Sequence, residues 1–133
     1  MTLVKRIFEK RGAGAIRKFR GGGSEVVTFD ELKKIPLNQP IQISEEKGKI
    51  EAVRLTSNNE NLMFSVSILK GERWKMHAHN CTELIVLYRG RLKNLLNGNA
   101  INKAQSMFFE SYESHHIKAE KDSIFYVEFK KPK

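Results

Sequence analysis

Between residues 61 and 70 the chain alternates, with Leu62, Phe64, Val66 and Ile68 on one set of positions and Met63, Ser65, Ser67 and Leu69 on the other. A period of two is that of a strand with one buried face, not the 3.6-residue period of a helix. Further short strands are predicted over residues 41–44, 50–55, 84–88, 91–96, 106–109 and 124–129. Between them, residues 58–61, 70–71, 89–90, 97–99 and 120–122 carry the Gly, Asn and Asp signals of tight turns. Many short strands separated by such turns argue for an all-β sandwich or barrel. One short helix is expected over residues 29–35, with Asp30 near its start and Pro36 ending it.

At 133 residues the sequence has the length of one domain, so a single fold carries whatever it does. The apolar runs fall far short of a bilayer span, which excludes a membrane helix, and no apolar stretch with a small-residue cleavage site marks a secretory signal. A cytoplasmic location is the expectation. A single cysteine, Cys81, rules out an intrachain disulfide, so packing alone must hold the barrel.

The formal charge of +9 raises the question of nucleic acid, and its distribution answers in part. Lys5, Arg6, Lys10, Arg11, Arg17, Lys18 and Arg20 face only Glu9 within the first twenty residues, and the remainder is mildly basic. Leu3, Ile7 and Phe8 at helical spacing predict a short amphipathic helix in this arm, interrupted by Gly12 and Gly14, and Gly21, Gly22, Gly23 and Ser24 read as a flexible linker. Residues 1–24 are therefore taken as a basic arm and linker, and residues 25–133 as one β-barrel domain. With no helix-turn-helix in the sequence, nucleic acid is a possible partner only through the arm, residues 1–20.

The chemistry is concentrated around His77, His79 and Glu83. On a strand, residues two apart share a face, so both imidazoles can point at one spot, and a short turn can bring the carboxylate to it. Two histidines and a carboxylate form a facial set of metal ligands, which a third imidazole from another strand would extend. His115 is placed to be that imidazole, with His116 competing for the role; adjacent strand residues face opposite ways, so only one of the two can reach the ion. Cys81 lies between the ligands, where a soft ligand or a reactive thiol competes with the commoner buried cysteine. Trp74, Phe64, Phe108, Phe109 and Phe125 could line a cavity, with core as the default for each. Arg73, Tyr112, Glu113 and Tyr126 are the polar residues near these motifs that could orient an anionic or carbonyl substrate.

The pattern resembles the cupin superfamily, whose first motif reads Gly, five residues, His, one residue, His, three or four residues, Glu, six residues, Gly. Gly71, His77, His79, Glu83 and Gly90 fill every fixed position. The second motif keeps only its histidine: the family's Gly, Pro, Gly and Asn are replaced by Ala104, Glu110, Tyr112 and Ala119. The motif register favours His115 over His116. The resemblance implies a cupin or jelly-roll β-barrel with a short N-terminal helical extension, and one divalent metal on His77, His79, Glu83 and His115. The ion would be iron, manganese, nickel, copper or zinc. It further implies a small metalloenzyme of oxygenase, isomerase or lyase type acting on a small molecule, or alternatively a non-enzymatic metal or ligand sensor, in either case expected as a homodimer.

Overall fold

The apolar positions that alternate in the sequence lie between two sheets that face each other. The computed structural model describes residues 16–19, 22–43, 48–56 and 58–133. In chain order the elements are β1 (Ile16–Phe19), β2 (Gly22–Val26), α1 (Phe29–Lys33), β3 (Ile41–Gln42), β4 (Ile50–Arg54), β5 (Asn61–Ile68), β6 (Arg73–Ala78), β7 (Thr82–Arg89), β8 (Leu92–Asn94), β9 (Ala100–Ile101), β10 (Ser106–Phe109), β11 (His115–Ala119) and β12 (Ser123–Lys130). One sheet runs β1-β2-β6-β11-β8-β9 and the other β10-β7-β12-β5-β4-β3. The pairings are antiparallel except β2 with β6, which run parallel. Among the described residues no helix is long and apolar enough to cross a membrane.

The register of β12 between β5 and β7 explains the core. Phe125 sits opposite Val66 and Leu87, and Val127 opposite Phe64 and Ile85, so the inward sets of three strands stack in one layer. All of these side chains are buried. Each contributes roughly 1.5–3 kcal/mol of burial energy, which is why a chain without a disulfide holds together. Every predicted strand is present with boundaries within a few residues.

α1 closes one end of the space between the sheets. It begins at Phe29 as expected and ends at Lys33, two residues before the expected Ile35; its N-cap is Thr28, and a reciprocal pair with Glu31 forms a capping box. Phe29 and Leu32 are its buried residues. Asn80 Oδ1 accepts from the Phe29 amide at 2.8 Å, tying the helix start to the connection after β6. At the other end the buried Arg54 donates to the carbonyls of Lys33 and Ile35 at 2.7 and 3.1 Å. A five-residue helix cannot persist alone, and these contacts with the barrel supply what its length lacks.

The expected arm and linker differ in part. The helix predicted near residues 3–8 lies outside the described residues. Ile16–Phe19, however, is a strand, and Gly22–Val26, where a flexible linker was expected, is the strand that pairs with it. The cause is backbone pairing: Glu25 and Val26 lie beside His77 and Ala78, and the Val27 amide donates to the Ala78 carbonyl at 3.0 Å. Composition reports flexibility; it does not report an open strand edge waiting nearby.

Candidate metal centre

The chain leaves one sheet and enters the other between β6 and β7, and the four residues singled out by spacing straddle that crossing. His77 is the last residue but one of β6, His79 lies in the connection, and Glu83 is the second residue of β7 in the opposite sheet. His115 opens β11 directly across from His77. One nitrogen or oxygen from each of His77, His79, Glu83 and His115 lies within 4.8 Å of the others. All four side chains are buried, His115 to within 1% of complete.

A bulge aims His77. In the β6 and β11 register, His115 pairs with His77 and Ile117 with Trp74, so three residues of β6 span two of β11. A regular strand would place His77 on the face of the exposed Arg73 and Lys75. The extra residue turns it to the inside with Trp74, which is the usual effect of a bulge on side-chain direction.

Backbone carbonyls fix every ring. His77 Nδ1 meets Lys75 O at 2.7 Å, His79 Nδ1 meets Val27 O at 2.8 Å, and His115 Nδ1 meets Glu113 O at 3.2 Å. A carbonyl only accepts, so each Nδ1 carries the proton and each Nε2 presents its lone pair to the centre. Aromatic rings pack the outer faces: Trp74 stacks on His77, Phe109 on His115 at 4.2 Å, and Phe129 meets His79 edge-on at 4.7 Å.

The donor set demands a positive charge. His77 Nε2 and His115 Nε2 face each other at 3.1 Å. Two lone pairs at that distance repel unless a cation or a proton lies between or beside them. Glu83 Oε2 is 2.8 Å from His115 Nε2 but off line for a hydrogen bond, and His79 Nε2 has no hydrogen-bond partner among the described residues. Two ligands each about 2.1 Å from one ion at right angles sit about 3 Å apart, which is the separation seen here. The residues present therefore fit a divalent metal ion.

Charge preferences without a metal follow the same geometry. Burial would raise the Glu83 carboxyl, but the charge of His115 and the contacts with His115 and His79 outweigh it and hold the carboxyl well below its ordinary value. For His115 burial opposes charge, and Glu83 overcomes it, so the imidazole is raised. His77 is lowered, by burial first and then by His115 and His79. The proton that the cluster holds thus resides on His115, next to Glu83.

Beside the histidines lies a cavity of about 40 Å³, walled by Leu32, Ile35, Ile41, Phe64, Trp74 and Phe129 among others; apart from His77 and His79 every lining residue is apolar. Trp74 and Phe64 thus line a cavity, as considered from sequence, while Phe125 is core. Phe109 is both buried and stacked on His115. Phe108 departs from the core default and is exposed. Arg73, Tyr112 and Tyr126 are exposed and away from this cavity, and Glu113 contributes its carbonyl to His115. His116 is partly buried on the outer side of β11, and Cys81 is part of the core, its thiol pushed up to about 12 by burial and then by Glu83. The carbonyls of Val27, Lys75 and Glu113 that orient the rings have no signature in the sequence, since any residue supplies a carbonyl.

No family model and no curated protein matches the sequence. Two facing sheets around three histidines and a glutamate nonetheless define the class: the chain has the cupin fold, shared with solved cupin structures. It resembles an RmlC-like cupin from Shewanella frigidimarina with a TM-score of 0.59 at 18% identity, over 69% of this chain and 85% of that one. KdgF from a Halomonas species gives 0.58 at 16% identity, over 68% and 86%. A proposed acetylacetone dioxygenase from Methylibium petroleiphilum gives 0.56 at 16% identity, over 62% of each chain. Identities at this level establish the fold and leave the reaction open.

Proposed function

We propose that this protein holds one divalent metal ion on His77, His79, Glu83 and His115 and acts as a small metalloenzyme on a small molecule, by oxygenase, isomerase or lyase type chemistry. The observation that carries the reading is the convergence of three imidazole nitrogens and a carboxylate in a buried pocket, their ligand atoms within 4.8 Å of one another. A bound ion supplies Lewis acidity toward an oxygen-bearing group or, if redox-active, chemistry with dioxygen. The chain's own residues do the rest. Three backbone carbonyls hold the imidazole tautomers, and Trp74, Phe109 and Phe129 exclude water from the ring faces. Among the described residues the apolar cavity beside His77 and His79 has no lysine or arginine in its lining, so the part of a substrate it receives is small and uncharged. A dioxygenase proposal attached to a protein of the same fold is in keeping with this reading.

The test is metal content. Protein purified without a polyhistidine tag and analysed by plasma mass spectrometry is expected to carry one ion per chain. That ion should be lost in His77→Ala/His79→Ala and in His115→Ala, and retained in His116→Ala. Absence of any bound metal after reconstitution with iron, manganese, nickel, copper and zinc in turn would refute the assignment.

Close burial of all four side chains and the small cavity favour a second reading, in which the site is closed and the barrel senses its metal. Water proton relaxation in the manganese-loaded protein separates the two. An enzyme retains an exchangeable water on its ion; a closed sensor does not.

A further inference from the structure

A second, larger cavity lies on the other side of His115, at the edge of the barrel formed by β8, β9 and β10. It measures about 360 Å³, within the range of small-molecule sites, and is lined by Asn94, Asn97, Asn99, Ser106, Phe108 and Glu113 among others. Phe109 lines it and also stacks on His115, so this residue stands between the cavity and the metal cluster.

Asn94 is the informative residue. It is only 2% exposed, and its Oδ1 accepts from the amides of Leu96 and His116 at 3.2 and 3.3 Å. Those two bonds fix the side-chain amide of Asn94 in the cavity wall. Around it stand the amides of Asn97 and Asn99, the Ser106 hydroxyl and the Glu113 carboxylate, while Phe108, 56% exposed, adds an apolar ring face. Among the described residues no lysine or arginine lines the cavity, so an anion would lose hydration without compensation.

We propose that this cavity binds a neutral polyhydroxylated ligand of the size of a single sugar ring. Hydroxyl groups both donate and accept, which matches side-chain amides and a carboxylate, and the carbon-bound hydrogens of a ring pack on an exposed aromatic face. The site does not depend on the metal, since Phe109 lies between them.

Chemical-shift titration of the full chain, metal-loaded and metal-free, with D-glucose, D-galactose and myo-inositol tests this directly, with glucuronate and glucosamine as charged counterparts. Saturable binding of at least one neutral compound at millimolar concentration is expected, with shifts centred on Asn94, Asn97 and Asn99. Asn94→Asp keeps the accepting oxygen and removes the donor, and should weaken that binding about fivefold or more. Phe108→Ala, a surface change that leaves folding intact, should weaken it as well. The proposal is overturned if no neutral compound saturates, if only a charged counterpart binds, or if neither variant changes the affinity.

Discussion

Ala104 and Tyr112 hold φ angles of +69° and +64°, a left-handed conformation that costs a side-chain-bearing residue about 1–2 kcal/mol. These are the two positions at which the second cupin motif has glycine. The backbone has kept the turn while the sequence has lost the residue that makes the turn easy, and the Tyr112 amide still donates to the His79 carbonyl at 2.7 Å. Ala104 is exposed, so Ala104→Gly should relieve the strain without loss of packing. The expected gain is up to about 1 kcal/mol, or roughly 3–5 °C in Tm by calorimetry. Gly90 supplies the opposite case. Its φ is +103°, and a Cβ there would fall 2.6 Å from the Asp122 carbonyl oxygen and 2.7 Å from Ser123 Cα, backbone atoms that cannot swing aside. Gly90→Ala should cost about 2–4 kcal/mol. The first motif was legible because its glycines and ligands are physically required. The second was faint because the chain tolerates strain where the motif would have shown itself, leaving His115 to be found by register alone.

At the scale of elements, alternation made β5 readable, whereas the bulge in β6 left no trace in the sequence. Two-residue spacing correctly puts His77 and His79 on one face; which face depends on an extra residue that only the pairing with β11 reveals. β9 and the β1 and β2 pair were missed for a related reason: strands this short, or this rich in glycine, have no period to detect. α1 was legible in place and in its start at Phe29, but not in its end at Lys33, and its capping box at Thr28 lies just outside the apolar pattern. That cap bears on the site, because Leu32 and Ile35 wall the cavity beside the histidines. Thr28→Ala should lower stability by about 1 kcal/mol, seen as a reduced urea midpoint at unchanged slope, and Thr28→Ser should recover most of it. An unaffected midpoint would mean that Asn80 and Arg54 alone hold the helix.

For the whole molecule, the buried cluster ties stability to pH in two opposed directions. His115 has an ordinary value of 6.5 in the unfolded chain and a raised one in the fold, so its contribution is complete below pH 6.5 and is lost as pH rises through the folded value. His77 is lowered from 6.5, so below that pH the unfolded chain takes a proton that the fold refuses, and stability falls as the solution becomes more acid. Glu83, lowered from 4.5, adds a loss at still lower pH as it is forced to protonate. Where the folded state binds the extra proton the slope of stability against pH is negative, and where the unfolded state binds it the slope is positive, at most about 1.4 kcal/mol per pH unit for one proton. The contribution of these groups in the metal-free protein should therefore peak near pH 6.5. A metal ligated by neutral His115 replaces its proton, so metal uptake should release a proton near neutral pH, and the decline on the alkaline side should disappear. Urea midpoints from pH 5.5 to 8.5, measured with chelator and again after metal loading, read both effects. A metal-free curve that rises without interruption through this interval would show that His115 carries no extra proton in the fold, and that the charge of Glu83 is balanced by some other group.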